Sequence, residues 1–217
     1  MKSILKIFII STLLLSTISV LAQKNINQYE PQATFEKGLM LFENRHYASA
    51  LQCFENYLAM NGNQNDANVV VAKYYEAVSS LLLDNGKGEN KIIAFVKENP
   101  TSLMAEHANF LYANTLFSDR KYRDALKIYN SVNTRSLNDE EKYECKFKEA
   151  YCYYQTNNIG KAKPIFEELT LSDNPYRNDA RYYYAHIMYI NGNHDEALNY
   201  FNIIKKDEEY KDVANTY

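Results

Sequence analysis

The sequence predicts an all-α protein built from tandem helix–turn–helix units of about 35 residues each. Three observations predict it. Helix breakers are scarce, with 6 Gly and 4 Pro in 217 residues, under half of the usual share of about 12 %. Four segments repeat one pattern: HYASALQCF (46–54), KYRDALKIY (121–129), NIGKAKPIF (158–166) and NHDEALNYF (193–201). Each carries an Ala (Ala50, Ala125, Ala162, Ala197). Four residues later comes an aromatic (Phe54, Tyr129, Phe166, Phe201), on the same helical face. A second small residue stands twelve positions before each of these alanines: Gly38, Ala113, Ala150 and Ala185. Small residues at matched places on two helices let the backbones approach closely.

The elements follow in chain order. Residues 1–22, MKSILKIFIISTLLLSTISVLA, read as a signal peptide. Lys2 and Lys6 form a positive start, an uncharged apolar run follows, and Val20 and Ala22 suit a cut before Gln23. Residues 23–30 are a polar lead-in. An α-solenoid over 31–217 is then expected, with units at about 31–64, 65–100, 101–136, 137–173 and 174–206. The segment 207–217 is expected to be a partial unit or a capping helix. Unit one pairs FEKGLMLF with HYASALQCF across Asn44-Arg45-His46. The alanine spacings are 75, 37 and 35, so a degenerate second unit must fill the first gap. Residues 66–84 and 89–98 supply its two apolar-periodic segments, closed by Asn99-Pro100. Unit three turns at Ser118-Asp119-Arg120. Unit four opens on Asn138 with Glu141, a capping box, and turns at Asn157-Asn158. Unit five opens with Pro175 as a first helical residue and places Gly192 just past its first helix.

These residues resemble the tetratricopeptide repeat (TPR) family, over about four-fifths of the chain. The small residue of helix A, the Ala of helix B, its following aromatic, Tyr47 and Tyr122 before helix B, and the closing Pro100 carry the resemblance. Ile159 and His194 replace the tyrosine in later units, and Trp is absent. The resemblance implies a right-handed α-solenoid of about five units. With the export signal, the chain looks like the exported TPR arrays of Gram-negative bacterial envelopes. That implies a location in the periplasm or at the cell surface.

Several function classes are disfavoured. Without residues 1–22 the chain has 22 Lys and Arg against 27 Asp and Glu, a net charge of −5. With no long basic run, nucleic acid is an unsuitable partner. No apolar span follows the signal, so no membrane-spanning segment is expected thereafter. Cys53, Cys145 and Cys152 show no CxxC spacing and read as small buried hydrophobes, so no metal is expected. Gly86-Lys87-Gly88 lacks the spacing of a phosphate loop and reads as a turn. The four histidines form no HxxxH pattern, and no nucleophile motif is present. The expectation is a chain that is not an enzyme and takes no cofactor.

Binding is what remains. In the family the first helices of successive units line a concave groove that holds a peptide or helix of a partner. By this resemblance the groove positions are Phe35, Leu39 and Phe42 in unit one, and Phe110, Asn114 and Phe117 in unit three. Unit four gives Phe147, Tyr151 and Tyr154, and unit five gives Tyr182, His186 and Tyr189. The set is aromatic where some relatives carry the Lys, Arg and Asn that grip a C-terminal carboxylate, which argues against such a clamp. Tyrosine suits recognition because it offers a large contact area with a polar tip. Some of these aromatics are equally suited to packing between first helices. Twelve of the 20 tyrosines follow residue 140, so the C-terminal half should be the most aromatic. The expected function is an exported, non-catalytic scaffold that binds a protein or peptide segment in the groove. The alternative is a structural spacer or assembly module of a longer or self-associating envelope complex.

Overall fold

The computed structural model describes residues 31–61, 67–83, 86–207 and 210. The signal peptide and lead-in expected over 1–30 lie outside them, as does nearly all of 208–217. The described residues are all-α. Helix α1 covers 31–43, followed by α2 (Tyr47–Met60), α3 (Ala67–Leu82), α4 (Gly88–Glu98), α5 (Leu103–Ser118) and α6 (Tyr122–Tyr129). Then come α7 (Asp139–Gln155), α8 (Ile159–Leu171), α9 (Arg177–Ile190) and α10 (His194–Ile204). A single 3₁₀ turn, Thr134–Ser136, precedes α7. None of the described helices is long and apolar enough to cross a membrane.

The chain divides into two compact bodies, Met1–Lys91 and Ile92–Tyr217. In the first, Phe35 of α1, Ala50, Phe54 and Tyr57 of α2, and Val69 and Ala72 of α3 share one core. Gly38 is required there. A Cβ on it would stand 2.9 Å from Cε1 of Phe54 and 3.2 Å from Cβ of Cys53. The Phe54 ring stacks on Tyr75 of α3 at 5.4 Å, so the aromatic after the repeat alanine reaches the next helix pair. Lys91 donates to Glu55 of α2 and Glu76 of α3. Burial alone would lower its pKa, but these bonds hold it above the ordinary lysine value.

In the second body α5 packs on α6, α6 on α7, α7 on α8, α8 on α9 and α9 on α10. Ala113, Ala125, Ala150, Ala162, Ala185 and Ala197 are buried, as the spacing requires. A single core runs from Phe147 to Ile204. Phe166 packs edge-on against Phe147 and stacks on Tyr183 of α9 at 5.4 Å. Cys145 and Cys152 are free, buried thiols, and burial pushes both pKa values up to about 12.

Four of the turns between paired helices share one geometry. Arg45, Arg120, Asn157 and Gly192 all have positive φ, at 60°, 60°, 60° and 83°. Each stands five residues before its repeat alanine. In each turn that residue donates its N–H three residues back, and its successor donates five residues back. Examples are Arg120 to Phe117 (2.9 Å) and Lys121 to Leu116 (2.9 Å), or Gly192 to Tyr189 (3.0 Å) and Asn193 to Met188 (2.9 Å). This double bond closes a helix on a left-handed residue, the position that favours glycine. Gly192 was legible as such a residue, whereas the arginines were not. A left-handed non-glycine costs about 1–2 kcal/mol, and glycine gives part of that back through unfolded-chain entropy. Arg120→Gly should therefore stabilise the chain by about 0.5–1 kcal/mol, read as a higher urea midpoint. No change, or a lower midpoint, would contradict the shared turn.

The capping box forms as expected. The Asn138 side chain accepts from the Glu141 N–H at 2.9 Å, and Glu141 accepts from the Asn138 N–H at 2.9 Å. One expectation is corrected. Pro175 is not the first helical residue, since α9 begins at Arg177. The Asn174 side chain accepts from the Tyr176 N–H at 2.9 Å, and this turn takes up Pro175 before the helix starts.

Candidate partner-binding face

The face is built on the first helix of each pair. Phe35 of the first body and Phe110 and Phe147 of the second are 5 %, 1 % and 9 % exposed, each buried in the interior of its own body. Leu39 and Phe42 are half-buried on α1, where Phe42 meets Tyr47 at 5.4 Å and Tyr75 at 4.7 Å. Phe35, Leu39 and Phe42 belong to the first body and the remaining nine candidates to the second.

In the second body the positions on α5 are drawn into internal contacts. Asn114 accepts from the Tyr129 hydroxyl at 2.6 Å and from Lys148 at 3.1 Å, and donates to Glu144 at 3.1 Å. One amide thus ties α5 to α6 and α7. Lys148 also pairs with Glu144, and its ammonium lies 5.2 Å from the centre of the Phe117 ring. A lysine so engaged has no charge to spare for a ligand carboxylate. Phe117 itself packs against Tyr151 at 5.3 Å and Tyr122 at 5.6 Å.

The aromatic residues of α7 and α9 come together in one seam. Tyr151 and Tyr154 meet Tyr183 at 5.1 and 5.3 Å. The Tyr154 hydroxyl and Nδ1 of His186 share a hydrogen bond of 2.9 Å. Burial lowers the His186 pKa below the ordinary value, so the ring is neutral at neutral pH. Tyr182 meets His186 at 6.4 Å and Phe201 of α10 at 6.2 Å. Tyr151, Tyr154, Tyr182 and His186 are half-buried, while Tyr189, at the end of α9, is 42 % exposed and meets His194 at 5.2 Å.

Tyr183 is the residue that sequence reasoning missed. It stands at the middle of the seam, in contact with α7 and with Phe166 of α8. Burial, then the neighbouring Tyr151, raise its pKa. The signal was the run Tyr182-Tyr183-Tyr184. Successive helical residues point about 100° apart, so three in a row cannot share a face. Tyr182 lies beside His186 and reaches Phe201 of α10, Tyr183 faces α7 and α8, and Tyr184 is buried with its hydroxyl donating to Glu196 at 2.9 Å.

Two residues that follow α10 are also engaged. Asn178 of α9 donates to Asp207 at 2.9 Å, and the Tyr210 hydroxyl donates to Asp179. Burial raises the Asp179 pKa, and the tyrosine bond partly offsets this.

Paired helices, each first helix presenting one face, define a helical-repeat solenoid. A tetratricopeptide-repeat family model matches residues 147–210. No curated protein sequence matches the chain. Among solved structures, MamA AMB-1 is similar in fold, with a TM-score of 0.64 at 16 % identity, over 84 % of this chain and 93 % of that one. A MamA RS-1 double mutant gives 0.65 at 13 %, over 85 % and 97 %. A Podosopora anserina putative kinesin light chain with nearly identical TPR-like repeats gives 0.58 at 11 %, over 83 % and 94 %. At these identities the likeness is one of fold. Residues 147–210 carry the tetratricopeptide repeat by sequence, and the described helices have the fold of tetratricopeptide-repeat proteins.

Proposed function

We propose that this chain is an exported, non-catalytic scaffold that holds a segment of a partner protein on the aromatic seam of α7 and α9. The observation that supports it best is the set Tyr151, Tyr154, Tyr182, His186 and Tyr189. Four of these side chains are half-buried and Tyr189 is exposed, and each packs against a neighbouring ring. Rigid tyrosines give contact area at low cost in side-chain entropy. Within the second body Phe117 extends the same chemistry onto α5, over Phe110 and Phe147; the first body carries Leu39 and Phe42 over Phe35 on its own first helix. Asn114 contributes by fixing α5 against α7. The motif-free sequence supports a role without catalysis. The signal-like residues 1–22 support a place in the periplasm or at the cell surface of a bacterial envelope, where the partner would also reside.

A second reading is an assembly module in a longer or self-associating complex. The contacts of Asp207 and Tyr210 on α9 favour it. Tyr210 stands 34 residues after Tyr176, which stacks on Phe147 of α7 at 5.1 Å. Each tyrosine thus packs on the preceding first helix, as a continuing array would require.

The test separates the two readings. Wild-type chain captures its partner from envelope extract, and the captured protein is then bound to wild type and to Tyr182→Ala/Tyr189→Ala. Anchor aromatics cost about 2 kcal/mol or more on truncation, so binding should fall about 30-fold with the fold intact by circular dichroism. Unchanged affinity would reject the seam. Sedimentation of the wild type alone as a concentration-dependent oligomer would favour the assembly module.

A further inference from the structure

On the side of α7 away from the seam lies an open cleft of about 570 Å³, bounded by the loop after α6, by α7 and by Glu168 of α8. This volume falls in the range of ligand sites, about 300–1,000 Å³. Its α7 wall carries Tyr143, Lys146 and Glu149. Glu149 is two residues from both Phe147 and Tyr151, hence about 200° from each around the helix. The cleft and the seam are separate surfaces.

The charges in the cleft do not cancel. Asp139 pairs with Lys142 at 2.8 Å, and Lys146 pairs with Glu168. Both pairs are internal to the wall. Glu149 is the remaining carboxylate, and no hydrogen bond or ion pair reaches it among the described residues. Burial raises its pKa against the pull of Lys146 and Lys161. Lys146 is committed to Glu168, and the Lys161 ammonium lies over the Tyr153 ring at 5.2 Å. A half-buried carboxylate without a bonded partner lies in a cleft whose other lining charges are matched. A cation is the ligand that would complete it.

We propose that this cleft is a second docking surface, which takes a lysine or arginine side chain carried on a peptide segment of a partner protein. Glu149 is the counter-ion. Tyr143 offers an aromatic surface for the stem and charge of the incoming side chain. The cleft is open and larger than one ammonium group needs, so the residues flanking the basic one find room along the loop after α6.

The test uses the full chain, labelled with ¹⁵N, titrated with acetyl-Gly-Lys-Gly-amide. The same peptide with norleucine, which keeps the stem without the charge, and spermidine, a free polyamine, are run in parallel. The lysine peptide should shift amide resonances in 130–149 in a saturable way, and the norleucine peptide should not. Glu149→Gln should weaken the lysine peptide at least fivefold. This variant removes a half-buried charge, so its melting temperature should equal or exceed that of wild type, and lost binding cannot then be laid to unfolding. Equal shifts from both peptides, equal affinity in Glu149→Gln, or shifts from spermidine with none from the peptide would each overturn the proposal.

Discussion

Phe166→Ala is expected to destabilise the second body by about 3–5 kcal/mol, the usual cost of removing a buried phenylalanine. Three layers depend on this ring. It is fully buried, packs edge-on against Phe147 of α7 at 5.9 Å, and stacks on Tyr183 of α9 at 5.4 Å. Its loss leaves a void beneath the seam that three helices line. The measurement is urea unfolding followed by circular dichroism. Leu171→Ala, at a residue 79 % exposed on the same helix, should change stability by about 0.5 kcal/mol or less. Similar midpoints for the two variants would show that the aromatic after the repeat alanine does not hold the pairs together.

Gly88→Ala should also be severe. A Cβ on Gly88 would stand 2.3 Å from Cα and 2.5 Å from the backbone nitrogen of Leu81, at the end of α3. The obstacle is backbone, so no side-chain rotation relieves it and α4 must shift away from α3. Overpacking of this kind costs about 1–3 kcal/mol and sometimes more. The upper end is expected here, because Ser80 and Leu81 are buried and cannot retreat. Gly160→Ala supplies the contrast. A Cβ there meets nothing within 4 Å, and replacing an exposed helical glycine gains about 0.5–1 kcal/mol. Thermal melts should move in opposite directions for the two substitutions. A fall for both, or a rise for both, would contradict the close approach at Gly88.

Gly88 also marks where the sequence became hard to read. It stands 38 residues after Ala50 and 37 before Ala125, where the missing repeat alanine belongs, and Ile92 is fully buried four residues later. The second pair thus follows the pattern with glycine for alanine and isoleucine for the aromatic. A search for Ala followed by an aromatic passes over both. The other pairs were legible because only a small side chain fits where two helix axes approach, and that constraint shows directly in the residue type. The left-handed turns were half legible. Gly192 and Asn157 are residue types that tolerate positive φ, whereas Arg45 and Arg120 carry no such mark.

The face was less legible than the fold. Helical period can place Phe110 and Tyr151 on the same kind of position, but it cannot separate a ring that fills the core from one that lines the surface. That separation depends on the neighbour across the interface. Phe147 lies deep because Phe166, Tyr176 and Tyr183 surround it. Tyr189 stays open near the end of its helix. Asn114 looked like a groove residue by position, and its hydrogen-bond partners, far apart in sequence, draw it into the fold.

The most direct measurement is photo-crosslinking in the native cell, with benzoylphenylalanine placed singly at Tyr182, Tyr189, Lys127 and Leu171. Tyr182 and Tyr189 lie on the α9 side of the seam, and the other two positions are exposed on helices α6 and α8. A partner held on the seam predicts one discrete adduct of the same mass from Tyr182 and Tyr189, and none from Lys127 or Leu171. Adducts from all four positions alike, or from the two control positions alone, would contradict it.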